Sequence, residues 1–252
     1  MLQLDAINRV STNITMKDLL KLIDDSTHAI ALTGAGISTL SGIQDFRGKN
    51  GINKTLPGEK IFDIELFYRD PSFYYKHSRD FIYNLDDKEP NIVHKTLARW
   101  EAEGKLKAII TQNIDLLHQK AGSKNVIEIH GSPATHHCVN CYKEYSYEEV
   151  CEQLKYSKIP HCDACNSTLK PDITFYGESL PEKAINNAVS ECEKCDLMLI
   201  LGTSLVVYPA ASLPEIVLQN GGKVVIINEQ ETHLDNMAAM KFDDLENVFP
   251  SH

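Results

Sequence analysis

The sequence predicts an α/β protein in which one parallel sheet, with helices on both faces, is assembled from both sides of an insertion. Three observations carry this. Short apolar runs at 29–32, 108–110, 126–129, 197–201 and 224–227 each end in glycine, hydroxyl, carboxamide or histidine residues, as strands do when their carboxyl ends face a ligand. Stretches with helical spacing separate several of these runs. Between residues 138 and 165 the rhythm stops, and four cysteines appear in two close pairs.

The chain of 252 residues suffices for one large core with a smaller appended module. With 42% apolar and 24% charged residues it reads as an ordinary globular protein without long disorder. A formal charge of -10 argues against direct nucleic-acid binding and suits lysine-rich protein partners. No apolar run approaches the roughly 18 residues of a membrane span, and residues 1–14 lack the pattern of a signal peptide. A cytoplasmic location with no membrane contact is therefore expected, and the oligomeric state is left open. Seven cysteines, an odd number, exclude a complete intrachain disulfide framework.

In chain order, residues 15–24 form a packing helix through Leu19, Leu20, Leu22 and Ile23, with Thr15 as a cap. The first strand follows at 28–32. Residues 51–89 are rich in aromatics, Phe62, Phe67, Tyr74 and Tyr75 among them, and read as a helical insertion whose rings form a satellite core. A helix at 91–100 packs through Ile92, Leu97 and Trp100 and leads to the second strand. The third strand ends in His130. After Pro171 the alternation resumes: a strand at 173–176, a helix from Pro181, a strand at 197–201, a helix from Pro209 ended by Gly221, and a strand at 224–227.

Residues 33–48, TGAGISTLSGIQDFRG, follow the first strand and read as a dinucleotide loop. Gly34 and Gly36 lack the Cβ atoms that keep a backbone from a phosphate, so their N–H groups are expected to face an anion. A hydride-transfer site would want glycine at Thr39 and an acidic residue about 20 positions on. Neither is present. The expected ligand places its phosphates at Gly34, Ala35, Gly36 and Ser38 and its ribose near Asn113. Gln112 and Ile114 accompany Asn113 at the second strand's edge, Asp115 is suited to accept from an amide, and His130 is the natural general base. Gly202, Thr203, Ser204, Asn228 and Glu229 lie after later strands and offer partners for the adenosine half.

Cys138, Cys141, Cys162 and Cys165 have the spacing of two knuckles around one tetrahedral Zn2+. Four thiolates leave no open position, so the ion is expected to be structural. Cys192 and Cys195 have no second pair to join and are expected as half-buried reduced thiols.

Taken together, Gly34-Ala35-Gly36-Ile37-Ser38, Gly42-Ile43-Gln44-Asp45-Phe46-Arg47, Thr111-Gln112-Asn113-Ile114-Asp115, His130-Gly131, the paired cysteines and Gly202-Thr203-Ser204 resemble the sirtuins, NAD-dependent protein lysine deacylases, and among them the bacterial deacetylases. The resemblance implies a Rossmann-like lobe (1–50, 90–136 and 170–252), a helical module (51–89) and a zinc module (137–169), with acetyl-lysine substrate and NAD meeting between them. It implies that the acyl oxygen displaces nicotinamide, that His130 activates a ribose hydroxyl, and that the acyl group leaves on ADP-ribose. Asn113 and Asp115 match residues that position ribose and nicotinamide, Phe46 the one that screens the reactive carbon, and Arg47 its neighbour. Ala35, Ile43 and Ile114 would line the nicotinamide recess, while residues 45–48 would close over the bound ligand. Ile173, Thr174, Phe175 and Gly177 on one side, and Leu205, Val206, Val207 and Tyr208 on the other, match the segments that hold the substrate peptide as an added strand.

Gln44 stands where the family usually has proline, which removes a φ restraint from the turn after it. Sirtuins that remove acidic acyl groups carry a tyrosine and, three residues on, an arginine in the helical insertion. Alignment through Asp70-Pro71 places Ser78 and Phe81 there, so acetyl and longer apolar groups are expected over acidic ones. Two other functions compete: mono-ADP-ribosyl transfer from the same site, and a non-catalytic NAD or zinc module. The joint presence of His130, Asn113 and Asp115 speaks against the second.

Overall fold

The computed structural model describes residues 16–45, 51 and 58–249. In chain order the helices are α1 (Met16–Asp25), α2 (Gly58–Ile61), α3 (Ile64–Arg69), α4 (Pro71–Ser78), α5 (Ile92–Ala102), α6 (Leu117–Lys120), α7 (Tyr147–Tyr156), α8 (Glu182–Lys194), α9 (Leu213–Gln219) and α10 (Leu245–Val248). The strands are β1 (Ala29–Thr33), β2 (Leu106–Thr111), β3 (Val126–Glu128), β4 (Gly131–Cys138), β5 (Glu144–Ser146), β6 (Leu169–Ile173), β7 (Leu197–Leu201), β8 (Lys223–Ile227) and β9 (Met240–Phe242). Thr15, Phe46, Arg47 and the Gly48 end of the expected closing turn lie outside the described residues.

Six strands form one all-parallel sheet in the order β3-β2-β1-β7-β8-β9. Its central strands are apolar throughout because both faces are covered. Alternate residues divide between the faces: Ile30, Leu32, Met198 and Ile200 pack under α8 and α9 with Ala188, Cys192 and Val217. Ala29, Ala31, Leu197 and Leu199 pack under α1 and α5 with Leu19, Ile23, Leu97 and Trp100. Each fully buried leucine or isoleucine in these layers contributes roughly 1.5–3 kcal/mol.

The second, antiparallel sheet has the order β5-β4-β6. Here the structure departs from the sequence reading, which put a strand of the main sheet at 173–176. The strand is β6, ending at Ile173 and paired with β4; Tyr176 makes a single bridge to Asp63. Pro171 has no N–H to give, and β6 tolerates it as an edge strand. The small sheet and the helical insertion share one core, in which Phe62, Phe67, Tyr74 and Tyr75 meet Tyr145, Leu169 and Phe175, as the satellite-core reading anticipated. Cys192 and Cys195 are buried rather than half-buried, and burial raises both thiols to about 12. Among the described residues no helix is long and apolar enough to cross a membrane.

Two histidines lie in this interior uncharged. The ring of His94 in α5 is 4.9 Å from that of His118 in α6, and burial lowers their pKa values from 6.5 to about 4 and about 3. In the unfolded chain both titrate near 6.5, so between these values the unfolded state binds more protons. Their contribution to stability is fully present above about pH 6.5 and is lost as the pH falls toward the folded-state values. Thermal melts should therefore show a Tm that holds down to about pH 6.5 and drops below it. A Tm that stayed level down to about pH 4.5 would contradict a buried neutral pair.

Candidate active site

β1 and β7 are the neighbours at which strand order reverses, the place where an open α/β sheet forms a crevice beyond its carboxyl ends. The chain leaving β1, a short 3-10 helix over Ala35–Ser41, lies against the chain leaving β7. Gly34 N–H donates to Leu201 O at 3.0 Å and Gly36 N–H to Gly202 O at 2.9 Å. A Cβ on Gly34 would sit 2.7 Å from Thr203 Cβ, and one on Gly202, whose φ is +60°, 2.5 Å from the Ile37 nitrogen. These glycines therefore allow one loop to seat on the other. The N–H groups of Gly34 and Gly36, which the sequence suggests face an anion, here donate to Leu201 O and Gly202 O within that packing. Asn91, the N-cap of α5, secures the far end by donating to Ile37 O and Ser41 Oγ.

The segment after β2 folds over the end of β1. Asn113 spends both carboxamide protons, on Gly34 O and on Ser38 Oγ, at 3.1 Å each. That leaves Oδ1 as an acceptor on a residue that lines the cleft. Ser38 Oγ donates onward to Asp115 Oδ2 at 2.6 Å, and Asp115 Oδ1 accepts the Leu117 N–H at 3.0 Å. Burial pushes the Asp115 carboxyl up despite these bonds. Leu116 follows with φ +61°, a left-handed conformation rare for leucine. Gln112 binds Thr203 Oγ1 through its Nε2 at 3.0 Å.

His130 leaves β3 and is held by Gln112 O, 2.8 Å from its Nδ1. A carbonyl only accepts, so Nδ1 carries the proton and Nε2 is the free base in the neutral ring. Burial lowers the pKa of the imidazole, keeping it neutral near pH 7. The next residue, Gly131, has φ +74°, and a Cβ there would meet Asp172 O at 2.0 Å; the turn thus brings His130 to the end of β6, just past which Thr174 N–H donates to His130 O at 2.9 Å.

These segments border a cleft of about 960 Å³. Gly34, Ala35, Gly36, Asp45, Gln112, Asn113, Ile114 and His130 line it, as do Gly202, Thr203, Ser204, Asn228 and Glu229. So do Ile173, Thr174, Phe175 and Gly177 on one wall and Val206, Val207 and Tyr208 on the other. Ser38, Asp115 and Leu205 are buried behind the lining. Sequence reasoning missed Phe62 and the acidic Asp243, Asp244 and Glu246, which also line the cleft; they lie in segments with no motif. No lysine or arginine lines it among the described residues.

Along residues 173–178 the backbone is largely committed. Phe175 N–H donates to Glu178 Oε2, Tyr176 N–H to Phe62 O, and Ile173 O accepts from Lys170 Nζ. The Thr174 carbonyl and the Gly177 N–H have no hydrogen bond among the described residues.

The Sγ atoms of Cys138, Cys141, Cys162 and Cys165 lie within 4.8 Å of one another, with Cys138–Cys165 at 3.3 Å and Cys141–Cys162 at 3.5 Å. Tetrahedral Zn2+ at about 2.3 Å from each sulfur sets S···S distances near 3.8 Å, so the set fits the ion with little adjustment. The N–H groups of Asn140 and Cys141 point at Cys138 Sγ, and Tyr145 gives its proton to Asp163 Oδ1 with its oxygen 3.2 Å from Cys162 Sγ.

The chain matches the model of the Sir2 family over residues 34–209. It is 47% identical over 228 residues to an NAD-dependent protein deacetylase of Thermotoga maritima, covering 90% of this chain and 92% of that one. It is 43% identical to an NAD-dependent protein deacylase of Thermococcus kodakarensis, with 86% of each covered. A solved Sir2 structure with a deacetylated p53 peptide and 3'-O-acetyl ADP ribose superposes with a TM-score of 0.88 at 46% identity, covering 93% of this chain and 95% of that one. Family match, whole-length similarity and the arrangement of the cleft agree: the chain belongs to the Sir2 family, the sirtuins.

Proposed function

We propose that the protein is an NAD-dependent protein lysine deacetylase that transfers the acetyl group of acetyl-lysine to ADP-ribose and releases nicotinamide. The observation that carries this reading is the pairing, at one cleft, of a neutral His130 whose Nε2 is free to take a proton with an Asn113 whose carboxamide spends both protons within the fold and keeps Oδ1 as an acceptor. Gln112, Asn113, Thr203, Ser204 and Asn228 offer the uncharged hydrogen-bonding groups that would hold NAD across the ends of β1, β2, β7 and β8. When bound, NAD supplies an electrophilic ribose carbon at which nicotinamide is the leaving group. His130 draws a proton from a hydroxyl in the transfer step, and Ala35 and Ile114 give an apolar wall that excludes water. The acetylated peptide is held as a strand through the Thr174 carbonyl and the Gly177 N–H. The four cysteines hold one structural Zn2+ and keep the peptide-binding wall folded. Seven unbridged cysteines are compatible with a reducing, cytoplasmic setting.

Acyl preference follows from charge. A succinyl group needs a cation to meet its carboxylate, and the cleft offers none among the described residues. Ser78 is buried, and Phe81 packs its ring 6.1 Å from that of Phe62. Acetyl, butyryl and succinyl versions of one peptide, each assayed with and without NAD, test both claims. Turnover of the acetyl and butyryl peptides only with NAD, and none of the succinyl peptide, is the expected result. Acetyl loss without NAD would remove the function; succinyl turnover matching acetyl would remove the acyl assignment.

A further inference from the structure

His118 is buried at 1% exposure and does not reach the cleft lining, so the chemistry above leaves it unused. Its Nε2 lies 3.0 Å from Thr33 Oγ1. Thr33 Oγ1 in turn donates to Thr111 Oγ1 at 2.9 Å, and Thr111 Oγ1 accepts the backbone N–H of Asn113 at 3.1 Å. Thr33 has one hydroxyl proton and gives it to Thr111, so a lone pair is what meets His118, which then carries its proton on Nε2. Thr33 and Thr111 are the last residues of β1 and β2 and stand opposite each other in register. Their hydroxyls thus tie two strand ends together directly beneath the segment that presents Asn113. The ring of His94, whose nitrogens have no hydrogen-bond partner among the described residues, backs His118 at 4.9 Å.

We propose that His118 is a positioning residue, fixing the backbone of Asn113 through the hydroxyls of Thr33 and Thr111 so that the carboxamide is set before ligand arrives. The proposal rests on the reading of Asn113 as part of the NAD site. Thr33→Val keeps the side-chain shape and removes both hydroxyl bonds, Thr33→Ser restores the hydroxyl, and His118→Phe removes the other end. Two readouts are taken: hydrogen exchange of the Asn113 amide, and kcat and KM for deacetylation at a temperature where each variant is folded. Thr33→Val and His118→Phe should each speed Asn113 exchange and lower kcat by up to about tenfold, as expected for one buried hydrogen bond, with peptide KM unchanged. Thr33→Ser should restore both values, and the double variant should be no worse than the poorer single one, because the two residues act on one path. Unchanged Asn113 exchange in Thr33→Val, or effects that add in the double variant, would overturn the proposal. A wild-type chain inactive on acetyl peptide would sink the function instead, and the exchange readout would still decide whether His118 positions Asn113.

Discussion

Replacing His130 with alanine lowers kcat for deacetylation by about 100- to 10,000-fold, the contribution typical of a positioned general base, while the fold and the zinc content stay as they are. The side chain is held by one bond, Nδ1 to Gln112 O, and its backbone carbonyl, which receives Thr174 N–H, survives the substitution. Little else in the fold depends on the imidazole. The pH profile adds a second check. Burial lowers the His130 pKa, and the base works only when neutral, so activity should persist below the usual histidine value of about 6.5 and fall at lower pH. In His130→Ala that limb should vanish from whatever activity remains. Wild-type rates in the variant, measured with acetyl peptide and NAD, would refute the base assignment.

Stripping the metal should have a comparably large effect by a different route. Cys138 and Cys162 are buried in the same core as Tyr145, Leu169 and Phe175, and β4 runs from the residue after His130 to Cys138. Structural zinc sites bind with apparent free energies of about 10–16 kcal/mol in peptides, and that energy is folding energy. Removing the ion leaves thiolates crowded at the edge of a core, so the small sheet should unfold and take the peptide-binding wall with it. Chelation, or Cys162→Ser, is expected to abolish activity, open residues 131–173 to proteolysis and spare the parallel sheet. Cobalt in place of zinc should give the absorption of a tetrahedral four-sulfur site and nearly unchanged kcat, since no ligand position is open to substrate. Full activity in metal-free protein would contradict this role.

The central strands β1 and β7 of the parallel sheet are readable because burial on both faces leaves no charged residue in them; a strand covered on both sides needs no alternation to announce it. β6 was misplaced because LKPDI, with its proline and two charged residues, carries no such pattern, and its partner β4, GSPATHHC, carries less. Short β9 and α10 at the cleft rim gave no usable periodicity, so Asp243, Asp244 and Glu246 went unseen. The motifs pick out residues that the fold gathers at one cleft, but spacing does not tell a lining residue from one behind it. Ser38 and Asp115 are examples: both are buried and joined to each other, and Ser38 in turn bonds the lining residue Asn113. Gly34 and Gly36 are a second kind of case, since a missing Cβ signals close approach without saying what approaches. Here it is the backbone of Gly202 and Thr203.

The central claim is that the acetyl group is moved onto ADP-ribose at the cost of one NAD. Mass spectrometry of a reaction containing the protein, NAD and an acetyl-lysine peptide tests it most directly. The account predicts deacetylated peptide, nicotinamide and O-acetyl-ADP-ribose in equal amounts. Acetate formed with NAD left intact, or ADP-ribose found attached to protein in place of O-acetyl-ADP-ribose, would contradict it.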